Sequence, residues 1–106
     1  GGSLGDKDSM NLRFRIRTSL DADPKIVKSL INNIINDCSF TIDSPKTEVL
    51  LYDVTETALV FRLDCWVDDY NSERKAKDWL LIEMLDRFKS NNIGIPYPHL
   101  TVKQDN

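Results

Sequence analysis

The chain has 106 residues, 41% hydrophobic and 29% charged, which fits one small globular domain. Its formal net charge of −3 argues against a general nucleic-acid binder, and no apolar run approaches the ~20 residues that a membrane-spanning helix needs. Its cysteines, Cys38 and Cys65, form no C-x-x-C pair, and a single histidine cannot complete a zinc site with them, so they read as buried thiols of a reducing compartment.

The opening Gly1-Gly2-Ser3-Leu4-Gly5 lacks an initiator Met and the apolar centre of a signal peptide. Residues 1–9 therefore read as a cloning remnant and linker ahead of an excised fragment. Leu12-Arg13-Phe14-Arg15-Ile16-Arg17 alternates apolar and basic at period two, which predicts a half-buried strand with an arginine face. Asp23 suits a helix N-cap and Pro24 the first helical position. Ile26, Val27, Leu30, Ile31, Ile34 and Ile35 then fall at helical spacing as one apolar stripe, and the helix should end near Asp37. Residues 39–47 are polar, include Pro45 and read as a loop.

Residues 49–54 and 58–67 form two strands of a hairpin around the turn Thr55-Glu56-Thr57. On the second of them Leu59, Phe61, Leu63, Cys65 and Val67 share one face, and Val60, Arg62, Asp64 and Trp66 the other. After a loop at 68–72, Asn71 or Ser72 caps a long helix reaching about Asn91. Its core stripe is Leu80, Leu81, Met84, Leu85 and Phe88. At ~100° per residue, Trp79 lies roughly opposite that stripe and Ile82 well off it. An exposed Trp beside an exposed Ile predicts a protein contact there. Gly94 follows the helix, Ile95-Pro96-Tyr97-Pro98 is extended because the prolines exclude helix, and 100–102 can form a last short strand.

The order β-α-β-β-α-β is that of an α+β ferredoxin-like two-layer sandwich: an antiparallel sheet with two helices on one face, plus a short C-terminal strand. The first and third strands should be neighbours. Residues 10–96 then make the domain, and 97–106 an assembly strand and tail in which Leu100 and Val102 supply one apolar face.

Catalytic readings find little to rest on. His99 is the one histidine, Asp68 and Asp69 suit a turn better than a metal, and no glycine-rich phosphate loop is present. The chain therefore reads as no enzyme, with no catalytic, cofactor-binding or metal-binding residues. Arg13, Arg15, Arg17, Arg62 and Trp66 could suggest an RNA-reading sheet, but the basic-Gly-aromatic motif is absent and Asp64 sits among the arginines. A cross-strand Arg–Asp pair is the better account. The alternative reading, a free-standing ferredoxin-like module for a small ligand or RNA, stays open at this point.

The stretch Leu80-Leu81, Phe88, then Ile93-Gly94-Ile95-Pro96-Tyr97-Pro98 resembles the end of the C-terminal domain of small-conductance mechanosensitive (MscS) channels. The strand Leu59-Val60-Phe61-Arg62-Leu63-Asp64-Cys65-Trp66-Val67 is similar to a family strand carrying a Phe and, five residues on, a Trp. Family members often have Arg where Asp64 stands, and small residues where Thr55-Glu56-Thr57 stands. The resemblance spans roughly residues 11 to 104. It implies a cytoplasmic vestibule domain of a heptameric channel in the bacterial inner membrane, built on transmembrane helices that this chain lacks. It further implies other copies of the chain as partners, permeating ions as cargo, no nucleic acid, and membrane contact only through the missing N-terminal part. Together with the apolar exposure, it marks Trp79, Ile82, Tyr97, Leu100 and Val102 as the expected subunit interface.

Overall fold

The structure, a computed structural model, describes residues 9–96. Five elements follow in order: β1 (Met10–Thr18), α1 (Pro24–Asp37), β2 (Glu48–Val54), β3 (Leu59–Val67) and α2 (Tyr70–Ser90). The strands form one antiparallel sheet in the order β1-β3-β2. This is the expected α+β ferredoxin-like arrangement, with β1 and β3 adjacent. The further strand expected at 100–102 lies outside the described residues.

Alternation along β3 sorts the sheet into two faces. Phe61, Leu63, Cys65 and Val67 are fully buried among Val27, Ile31 and Ile34 of α1 and Leu80, Met84 and Phe88 of α2. The register carries that division across the sheet: Leu12 pairs with Cys65 and Val49 with Leu63 on the helix side, while Arg13 and Glu48 both face Asp64 on the other. Burying aliphatic and aromatic side chains at about 1.5–3 kcal/mol each holds the two layers together.

Local chemistry sets the boundaries. Asp23 caps α1 by accepting from the Lys25 amide at 2.9 Å, with Pro24 opening the helix as expected. The hairpin turn closes where the Thr55 amide donates to the Ala58 carbonyl at 2.8 Å and the Thr55 hydroxyl accepts from the Ala58 amide at 3.0 Å. Within the 39–47 loop, the Ile42 amide donates to the Trp66 carbonyl at 2.8 Å, so the loop runs briefly alongside β3 where β2 has not yet begun.

Several expectations change, and Leu81, expected in the α2 stripe, is only half-buried and outside the core cluster. The cap of α2 is Asp69, not Asn71 or Ser72: its carboxylate accepts from the Ser72 amide at 2.8 Å, and the helix starts earlier. Ile26 stands 56% exposed rather than in the α1 stripe, because Val27, Ile31, Ile34 and Ile35 centre the buried face one position later. Leu85 is 52% exposed, and Trp79 packs half-buried against the core. Both shifts on α2 have one cause: Ala76, Leu80, Met84 and Phe88 form a row of fourth residues that centres the buried face away from Leu85 and toward Trp79.

Candidate interaction surfaces

α2 ends in a way that aims the chain beyond it. Asn92 has φ 59°, in the left-handed region. The Asn92 amide donates to the Lys89 carbonyl at 3.2 Å and the Ile93 amide to the Phe88 carbonyl at 2.8 Å. This is a Schellman ending with Asn at the position glycine usually takes, and Ile93 joins Phe88 in the core as its apolar contact. The chain then passes close to the end of β1. The Ser19 amide donates to the Gly94 carbonyl at 2.9 Å, and a β-carbon at 94 would collide with the Ser19 hydroxyl. Gly94 is needed here for space: its φ is not positive.

The outer side of α2 carries large apolar side chains among its exposed charged ones. Ile82 is 54% exposed, Leu85 52% and Ile95 38%. Leu85, Lys89, Ile93, Ile95 and Pro96 line an open groove of about 450 Å³. Of the interface residues expected from sequence, Ile82 stands on this exposed side and Trp79 is half-buried beneath it, while Tyr97, Leu100 and Val102 lie outside the described residues. Leu85 and Ile95 were missed as surface residues. The signal that could have found Leu85 is Ala76, whose small side chain extends the core row and turns Leu85 outward.

The sheet face away from the helices is polar. Arg13 Nε lies 2.6 Å from Asp64 Oδ1, and Arg62 Nε 3.4 Å from Oδ2 of the same carboxylate. The expected cross-strand Arg–Asp pair is therefore present between β1 and β3, with Arg62 of β3 itself beside the second oxygen. Asp64 raises the Arg13 pKa above its ordinary value, first by this hydrogen bond and then by its charge. Arg15 donates to the Tyr52 hydroxyl at 3.1 Å, with its guanidinium 4.2 Å from the centre of that ring.

The arrangement offers little for catalysis. Among the described residues no three His, Cys, Asp or Glu side chains converge as a metal ion would require. Burial, then Cys38 and Asp64, push the Cys65 thiol up to about 12, so it stays protonated at neutral pH and is a poor nucleophile. Cys38 and Cys65 are free and buried, as expected. His99 lies outside the described residues. No helix among the described residues is long and apolar enough to cross a membrane.

The family described as "Mechanosensitive ion channel MscS, C-terminal" matches residues 11–95. Among solved structures, the closed-state crystal structure of Helicobacter pylori MscS superposes with a TM-score of 0.74 at 16% sequence identity. The match covers 95% of this chain and 40% of that one, so the chain spans well under half the length of the channel subunit it resembles. No curated protein sequence matches the chain.

Proposed function

The chain belongs to the MscS mechanosensitive ion channel family, as a C-terminal domain of such channels, and on that premise we propose that it is a structural vestibule domain. In this reading it gathers copies of the channel subunit beneath a tension-gated pore at the cytoplasmic face of a bacterial inner membrane. Its work is assembly rather than catalysis, its partners are other copies of itself in a heptamer, and ions pass the cage without a dedicated site. Residues 10–96 form the packing unit, and 97–106, with Tyr97, Leu100 and Val102, the assembly strand.

One observation carries the reading: Ile82 and Leu85 stand three residues apart on α2 and are each more than half exposed, as Ile26, Val54 and Tyr70 are elsewhere. Large side chains left out of a complete core mark a protein contact. Ile82 contributes there directly. Trp79, half-buried, braces the helix from below and contributes its remaining surface. The Gly94–Ser19 contact fixes where the following segment leaves the domain, which supports a tail that meets neighbouring subunits at a set position.

The test is cysteine cross-linking in the full-length subunit in membranes. Ile82→Cys with a short bis-maleimide should give a ladder of covalent oligomers, while the native Cys38 and Cys65, being buried, give no ladder in the parent. Monomers alone from I82C, in membranes where the channel still opens under tension, would overturn the assignment of this surface.

A further inference from the structure

We propose that the sheet face opposite the helices is a docking surface for an acidic peptide segment, with Arg15 and Arg17 as its anion-binding positions. This surface is separate from the outer side of α2, and the inference stands independently of the assembly reading.

The arginines of β1 are not equivalent. Arg13 is satisfied by Asp64 at 2.6 Å, and Arg62 Nε lies 3.4 Å from the second oxygen of that carboxylate, an ion-pair distance at which it makes no hydrogen bond. That leaves Arg15 and Arg17 with no carboxylate partner among the described residues, although both are exposed. Arg15 also stands directly opposite Arg62 in the register, and like charges in that position repel. Tyr52 offsets part of this: its ring centre is 4.2 Å from the Arg15 guanidinium and 5.5 Å from that of Arg62. Nothing local neutralises the pair fully. A carboxylate arriving at Arg15 and Arg17 would.

The spacing selects the ligand. Alternate residues of a strand repeat at about 6.6–6.8 Å. An extended peptide with Asp or Glu at every second position has the same repeat, so two successive carboxylates meet two successive guanidiniums. Each pairing can be bidentate, which favours a planar guanidinium over a lysine.

Nucleic acid fits less well. The rings that a base would stack on already carry cations: Arg15 and Arg62 lie over Tyr52, and the Lys46 ammonium is 5.4 Å from the Trp66 ring centre.

The experiment follows the arginine Nε–Hε signals of the whole 106-residue chain by NMR as a Thr-Glu-Thr-Glu-Thr-Glu-Thr peptide is added. The expected result is saturable shifts at Arg15 and Arg17, weakened several-fold when NaCl rises from about 0.05 to about 0.3 M. The matching Thr-Gln peptide should give none. R17Q, at a side chain without described contacts, and the R15Q/R17Q double variant should each keep the amide spectrum of a folded chain, and the double variant should lose about tenfold or more in affinity. The proposal is overturned by absent or unsaturable shifts, by equal response to the glutamine peptide, or by undiminished binding in the folded double variant. It is equally overturned if single-stranded RNA or phosphatidylglycerol vesicles move these signals and the acidic peptide does not.

Discussion

Ser19 and Gly94 fasten the start of the β1–α1 connection to the segment leaving α2: the amide of one donates to the carbonyl of the other at 2.9 Å, and no side chain separates them. A methyl group at 94 would collide with the Ser19 hydroxyl, whose β-carbon stands 3.6 Å away. Gly94→Ala must therefore rotate that hydroxyl or part the two segments, at about 1–2 kcal/mol. Ser19→Ala removes the obstructing atom. The double variant should recover most of the loss, so urea denaturation of the four-member cycle should give a coupling of about 1 kcal/mol. Additive losses would mean that the two residues do not sense each other.

A second prediction concerns Asn92, which holds φ 59° at the end of α2. A β-branched side chain is poorly tolerated there, whereas glycine adopts it freely. Asn92→Val should cost about 1–2 kcal/mol and Asn92→Gly should change stability by about 0.5 kcal/mol or less in either direction. Thermal unfolding of both variants checks the ordering.

A third follows from the Asp69 cap. The Ser72 amide, and then its hydroxyl, hold the Asp69 carboxyl below the usual aspartate range. A depressed folded-state pKa contributes stability that is complete above the unfolded value of about 3.9 and is lost as pH falls through the folded one. Asp69→Asn keeps an accepting oxygen and should unfold near the parent temperature at pH 7 while losing this part of the acid sensitivity. Asp69→Ala should lower Tm at pH 7 by roughly 4–8 °C. Tm measured from pH 7 down to pH 2 separates the variants.

How much of this was legible in sequence depends on whether near or distant residues decide the matter. Strand β3 was legible because its apolar residues recur at every second position on one face: Phe61, Leu63, Cys65 and Val67 are all buried there, and Asp64 meets Arg13 from the other. The Asp23–Pro24 helix start was equally local. Helix α2 was harder, since Leu80, Leu81, Ile82, Met84 and Leu85 offer apolar residues on most sides and periodicity alone does not choose among them. The choice is made by what faces the helix: the sheet accepts the row from Ala76 to Phe88 and leaves Leu85 outside. Side-chain reach across strands was also hidden. The stack of Arg15 on Tyr52 depends on the register shift between Leu51 and Asp53, which no short motif in β2 announces.

The last prediction separates folding from assembly at Ile82. Its side chain is 54% exposed and stands outside the core cluster, so Ile82→Glu removes little that the isolated domain uses. Surface changes away from caps, cavities and buried charges usually stay within about 0.5 kcal/mol. Urea denaturation of the isolated chain should therefore give nearly the same midpoint for I82E as for the parent. In the full-length subunit, the same carboxylate would be pressed into an apolar contact repeated at every subunit boundary. A buried charge without a partner costs several kcal/mol at each repeat. Native mass spectrometry of the detergent-solubilised channel should then find I82E shifted to monomers and small oligomers. Loss of folding in the isolated domain would place Ile82 in the core instead, and an intact oligomer would move the subunit contact away from α2.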